Sequence, residues 1–320
     1  MTACFRDNIL SLLKATAIAK HLVMNEDFLF IDTFKSIQGS DDAWYKVIKF
    51  LGKGGNGISY LVMSTGGKYQ GCIFTLKILY KISKQERIDK FIREVAFLKN
   101  SNYPTILRQY DEGKWNERPF VVMDYMSVTL EDVLKKNELT LSDKLLFSLQ
   151  LLSAIKYLQS MNVVHRDIKP SNIFIKDNSA ILGDFGLVKE VGNDDENDAD
   201  DFKGYFAMPK SYRTPELVAY AKSEASICYE SDVFQLGLVL CELFTGKNPL
   251  IDSDDALSPI KLHPIPYGKN AYINKAIWII QRMLKIDKAS RISVQEALLK
   301  FNKVFDDYAK EKEKLDGSAI

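Results

Sequence analysis

The stretch VVHRDIKPSNIFI constrains this chain more than any other, because Asp167, Lys169 and Asn172 fall within a few residues between apolar flanks. A carboxylate can orient a hydroxyl and take its proton, which suits Asp167. The Lys169 ammonium can neutralise charge on a phosphate, and the Asn172 amide offers an oxygen to a hard cation. Nineteen residues after His165, the segment GDFGLVK supplies a second oxygen ligand, Asp184. The set suits transfer of a phosphoryl group to a hydroxyl, provided the fold brings 167–172 and 184 together.

Upstream, LGKGGNGISYLV sets Gly52, Gly54 and Gly57 at G-x-G-x-x-G spacing between two strand-like runs. Glycines let backbone N–H groups approach phosphate oxygens closely. A dinucleotide-binding fingerprint would require a helix next, and here a strand follows. Lys77 lies twenty residues beyond Gly57 in FTLKIL, and Leu76 and Ile78 should face the opposite side of the sheet from it. It could reach under the glycine loop, and Glu94 on the following helix is the natural carboxylate to hold it.

Between Tyr45 and about Met126 the runs YKVIKFLG, ISYLVMS, GCIFTLKIL and RPFVVMDYM predict strands, with Gly66-Gly67 as a hairpin turn. One helix interrupts them from near Lys84, with Ile88, Phe91, Ile92, Val95 and Leu98 at helical spacing. Beyond Met126 the pattern predicts a long helix through LSDKLLFSLQLLSAIKYLQSM with Ser142 as N-cap. Short strands follow at Val163-Val164 and Ile181-Leu182. Further helices are expected in YESDVFQLGLVLCELFTG, NKAIWIIQRMLKI and VQEALLKF. This order predicts an α+β chain of two lobes, a small β-rich one with one helix and a larger helical one.

Composition narrows the partners. With 43 Lys and Arg against 42 Asp and Glu, no nucleic-acid partner is indicated. No run of 18 apolar residues exists, so no membrane span is expected. Cys4, Cys72, Cys228 and Cys241 lie far apart without C-x-x-C spacing, which points to reduced thiols and a cytoplasmic location. Near the N-terminus Ile9, Leu12, Leu13 and Leu22 could share the face of an amphipathic helix. That face would pack on its own domain or, alternatively, dock a partner.

Taken in order, the glycine loop, Lys77, Glu94, His165-Arg166-Asp167 with Lys169 and Asn172, and Asp184-Phe185-Gly186 resemble the eukaryotic-type protein kinases. Thr214-Pro215-Glu216 resembles the family's A-P-E, Asp232 opens a D-x-x-x-x-G pattern ending at Gly237, and Arg291 sits where the family pairs an arginine with that glutamate. The resemblance implies the two-lobed kinase fold over residues 45–305, with an N-lobe at 45–124, a hinge at 124–127 and a C-lobe at 128–305. Residues 1–44 are then an N-terminal extension and 306–320 a charged tail. It also implies ATP as phosphoryl donor, Mg2+ held by Asn172 and Asp184 with Mn2+ as an alternative ion, Asp167 as catalytic base, and a protein substrate. Met123 looks like the gatekeeper, Asp124 and Met126 like the hinge residues that bind adenine. Ser59 and Thr75 would roof the base and Phe174 underlie it. Lys169 in HRDIKPSN resembles the serine/threonine branch.

Three departures from the family bear on function. Ser59 and Thr75 put hydroxyls where valine and alanine are usual, and Phe174 replaces a smaller aliphatic residue. From 186 to 209 the only hydroxyl is Tyr205, while DDENDADD at 194–201 carries six carboxylates. Those carboxylates are either a solvated loop or a permanent stand-in for the phosphate that Arg166 receives in regulated kinases. Met208-Pro209 replaces the family's G-T, so the threonine that supports the catalytic aspartate is missing, or Ser211 supplies it. A catalytically weak pseudokinase serving as a binding or scaffolding module is the alternative. It would have no need of the complete charged set.

Overall fold

The computed structural model describes residues 31–40, 42–54, 57–82, 85–192 and 210–317. The N-terminal amphipathic stripe, the acidic run at 194–201, Tyr205 and Met208-Pro209 lie outside the described residues. The chain forms two compact units: one runs to Val95 and adds Gln109–Tyr125, and the other comprises Ala96–Arg108 and everything from Met126.

The first unit is built on six strands: β1 (Ser36–Gln38), β2 (Trp44–Lys53), β3 (Ile58–Ser64), β4 (Ile73–Ile78), β5 (Gln109–Trp115) and β6 (Arg118–Asp124). They lie in the order β1-β2-β3-β4-β6-β5, and every neighbouring pair is antiparallel. Alternation sorts the side chains. Tyr60, Val62, Phe74, Leu76, Ile78 and Val122 fill one buried face, and Ser59, Thr75 and Lys77 stand half-buried on the other. Helix α1 (Gln85–Asn100) follows β4 and carries Glu94.

Two of these strands were not predicted. Ser36–Gln38 precedes the expected kinase boundary at 45, yet it extends the sheet, with Ile31 and Ile37 in the core. β5 escaped because QYDEGKW is polar and does not alternate. A buried carboxylate explains both elements. Asp111 on β5 accepts hydrogen bonds from the Tyr45 hydroxyl at 2.8 Å, the Ser40 amide and hydroxyl, and the Glu112 amide at 2.8 Å. Gly39 belongs to the same clasp, since a Cβ there would overlap Asp111 Oδ2. Asp111→Ala leaves the buried Tyr45 hydroxyl without its partner and should cost about 2–3 kcal/mol, read from urea unfolding. An unchanged midpoint would mean that the clasp contributes nothing.

The second unit contains α2 (Leu130–Lys136), α3 (Leu141–Ser160), β7 (Val163–Val164), β8 (Ile173–Lys176), β9 (Ser179–Leu182), β10 (Lys189–Glu190), α4 (Pro215–Ala221), α5 (Tyr229–Thr245), α6 (Ala271–Met283) and α7 (Val294–Gly317). α3 begins earlier than expected. Its N-cap is Thr140 rather than Ser142, and Thr140 and Asp143 cap each other reciprocally. The T-L-S-D spacing was the available signal. α5 is the central element of this unit, with Val233–Cys241 buried without a break. Helix α7 runs on to Gly317, so residues 306–317 of the expected tail continue a regular helix.

Candidate active site

On the first unit the half-buried face of β3 and β4 carries the residues read from sequence. Ser59 pairs across the strands with Lys77, and Thr75 pairs with Met123. Lys77 Nζ lies 2.6 and 2.9 Å from the two carboxylate oxygens of Glu94, which is only 2% exposed. A buried carboxylate held at both oxygens by one ammonium fixes that amine in position. Gly57 must be glycine on steric grounds, because a Cβ there would meet the Ile78 carbonyl at 2.9 Å and Lys77 Cγ at 3.3 Å. Gly52 and Gly54 have open space around them, and the Gly54 amide donates to the Gly57 carbonyl at 2.8 Å. Asp124 ends β6 and accepts a hydrogen bond from the Tyr110 hydroxyl at 3.0 Å.

On the second unit the HRD segment is held by a helix far along the chain. Asp232, buried on α5, accepts from the backbone amides of His165 at 2.7 Å and Arg166 at 3.0 Å. Gln235, one turn on, accepts from the Ile168 amide at 2.9 Å and donates to the Arg166 carbonyl at 3.0 Å. These bonds hold a backbone that needs holding, since Arg166 has φ 71°. Sequence reading noted Asp232 within a motif and missed Gln235. Only the i, i+3 spacing of two polar residues inside an apolar helix hinted at a buried pair.

Asp167 is the focus of the polar groups. Lys169 Nζ lies 3.0 and 2.8 Å from its carboxylate oxygens, and the Asn172 amide donates to Asp167 Oδ2 and to its carbonyl, both at 2.9 Å. Burial pushes the Asp167 carboxyl up to about 6 against the opposing pull of Lys169. Burial likewise lowers His165 to about 4, so its imidazole is neutral near pH 7. Its Nδ1 accepts from the Asp167 amide at 3.3 Å, which leaves Nε2 to donate to the Gly183 carbonyl at 3.1 Å. Asp184 follows with φ 56° and is exposed. Its charge acts on both His165 and Asp167, which places it in their neighbourhood. Phe185 anchors this turn, wholly buried between the rings of Phe97 at 4.7 Å and His165 at 4.8 Å.

The fit for a divalent cation rests on donor chemistry. With the Asn172 amide nitrogen committed to Asp167, its oxygen remains as the acceptor, and Asp184 offers an exposed carboxylate. Two hard oxygen donors suit a cation that draws its remaining ligands from phosphate and water. Among the described residues no cluster of three or more His, Cys, Asp or Glu could hold a metal by itself.

Other sequence candidates fall elsewhere. Phe174 lies on β8, paired with Ile181, with its ring edge against Gly183. Met126 begins the second unit's later segment, outside any strand or helix. Among the described residues the side-chain partners of Asp167 are Lys169 and Asn172, and the Ser211 carbonyl accepts from Asn248 at 2.7 Å. Glu216 and Arg291 form a buried pair at 2.8 Å.

The comparisons agree with this arrangement. A family model described as "Protein kinase domain" matches residues 45–301. The serine/threonine-protein kinase cds1 of Schizosaccharomyces pombe is 28% identical, over 83% of this chain and 60% of its own. The carbon catabolite-derepressing protein kinase of Saccharomyces cerevisiae is 28% identical, over 79% of this chain and 39% of its own. Mitogen-activated protein kinase 2 of Arabidopsis thaliana is 25% identical, over 80% of this chain and 76% of its own. The chain thus spans less than two thirds of the first two relatives.

Proposed function

This chain belongs to the protein kinase family, and on that premise we propose that it transfers the γ-phosphoryl group of ATP to serine or threonine hydroxyls of protein substrates. The observation that carries the proposal is the Asp167 site, a buried carboxylate flanked by an amine and an amide. Asp167 orients the acceptor hydroxyl and takes its proton. Lys169 lies against that carboxylate and balances the charge gathering on the transferred group. Lys77, fixed by Glu94, holds the α- and β-phosphates, and the close-lying backbone of the Gly52, Gly54 and Gly57 loop covers them.

Asn172 and Asp184 would hold Mg2+, or Mn2+ in its place, and when bound the ion neutralises phosphate charge. Of the residues that the family resemblance assigns to the adenine base, Ser59, Thr75, Met123 and Asp124 belong to the first unit and Met126 and Phe174 to the second. Serine/threonine preference is supported by Lys169 within HRDIKPSN and by relatives that bear that name. A cytoplasmic location fits the free thiols of Cys72, Cys228 and Cys241. Among the described residues no helix is long and apolar enough to cross a membrane. The alternative of a binding or scaffolding module finds no support in the relatives.

The test is incubation of the purified chain with γ-labelled ATP, Mg2+ and a general protein substrate, with phosphorylated residues mapped. Label on serine or threonine supports the proposal, and no transfer under any divalent cation refutes it. A pH profile sharpens it. With the Asp167 carboxyl at about 6, the base is ionised above that pH and protonated below. kcat/KM should therefore be flat near neutrality and fall about tenfold per pH unit below 6. A profile flat down to pH 5 would remove Asp167 as base.

A further inference from the structure

Resting on the reading that Phe174 underlies the adenine, we infer that Gly183 is the seat of the Phe174 ring and a positioning residue for nucleotide binding. A Cβ at 183 would stand 2.7 Å from Phe174 Cε2, 3.1 Å from Cδ2 and 3.3 Å from a methyl of Leu107. No aromatic ring tolerates a carbon at 2.7 Å, so one of the two must move.

The backbone at 183 is poorly placed to yield. The Leu182 amide donates to the Thr105 carbonyl at 2.8 Å, and its carbonyl accepts from the Leu107 amide at 2.9 Å. The Gly183 amide donates to the Asn172 carbonyl at 2.9 Å, and the Gly183 carbonyl accepts from His165 at 3.1 Å. Nor is a left-handed conformation the reason for glycine here, since Gly183 is not among the residues with positive φ. Alanine is allowed conformationally at this position, and its cost is steric alone. Phe174 is held in turn by its pairing with Ile181 and a bridge to Thr129, so the strain falls on the ring.

The departure at Phe174 and the bare Cα at 183 are therefore one feature. The larger ring fits because the residue before Asp184 has no side chain, and the ring's height is set by that contact.

The experiment measures binding of adenosine and of ADP with Mg2+ by calorimetry, with melting midpoints, for Gly183→Ala, Phe174→Leu, Phe174→Ala and the Phe174→Leu/Gly183→Ala double variant. Gly183→Ala should weaken both ligands by the same factor, about tenfold, as overpacking does. The double variant should bind within about threefold of Phe174→Leu alone, because the smaller side chain makes room for the methyl. If Gly183→Ala is too unstable to assay, recovery of its melting midpoint in the double variant reads the same contact.

Losses that multiply in the double variant, or a midpoint that does not recover, overturn the seat. Loss confined to ADP with adenosine unaffected also overturns it, since the methyl would then act through Asp184. Adenosine binding that is unchanged in Phe174→Ala overturns instead the reading that Phe174 underlies the base.

Discussion

Replacing Asp167 by Asn is expected to lower turnover by about 10²–10⁴-fold, the range lost when a positioned general base is removed. Asparagine keeps the size of the side chain, and its oxygen can still accept from Lys169 or Asn172, so the loss reflects the proton acceptor rather than the shape. The apparent KM for ATP should change little, because Lys77 and the glycine loop are untouched. Stability should hold or rise. Burial raises the Asp167 carboxyl to about 6, so keeping it ionised at pH 7 costs folding free energy that a neutral amide does not incur. Label transfer, ATP titration and a thermal melt read the three quantities. Transfer at the level of the unmodified chain would show that the labelling comes from elsewhere.

The largest stability effect should come from Arg291. This guanidinium lies beside Glu216 at 2.8 Å and donates to the carbonyls of Lys285 at 2.9 Å, Ile286 at 3.2 Å and Glu230, with its Cζ 4.9 Å from the centre of the Phe234 ring. Arg291→Met keeps much of the volume and strands the Glu216 carboxylate, which is 6% exposed. Leaving one member of a buried pair uncompensated costs about 3–5 kcal/mol. The double variant Arg291→Met/Glu216→Leu removes both charges and should recover a large part of that loss. Chemical unfolding of the three variants decides it. A double variant as unstable as the single one would mean that the carbonyl contacts, not the ion pair, carry the effect.

The legible part of this protein was local. Alternation in ISYLVMS and GCIFTLKIL placed Lys77 on the sheet face opposite Leu76 and Ile78, and strand pairing returns that arrangement. Helical spacing gave the helix that carries Glu94. Local signals also failed where polar residues served a distant partner. QYDEGKW reads as a loop until Asp111 is seen to receive Ser40 and Tyr45. The short helices α2 and α4 offered too few turns for periodicity to register.

The HRD segment at 165–167 illustrates the division. Its composition alone determined which chemical groups were available, because Asp167, Lys169 and Asn172 lie close enough along the chain to meet in any tight loop. What only tertiary structure decided is how that loop is held and tuned. Asp232 binds its amides from a helix more than sixty residues away, Gly183 leaves room for Phe174, and burial raises the Asp167 carboxyl. Such effects depend on which distant atoms a folded chain brings within hydrogen-bonding or van der Waals reach. Periodicity describes one element at a time and carries no information about that.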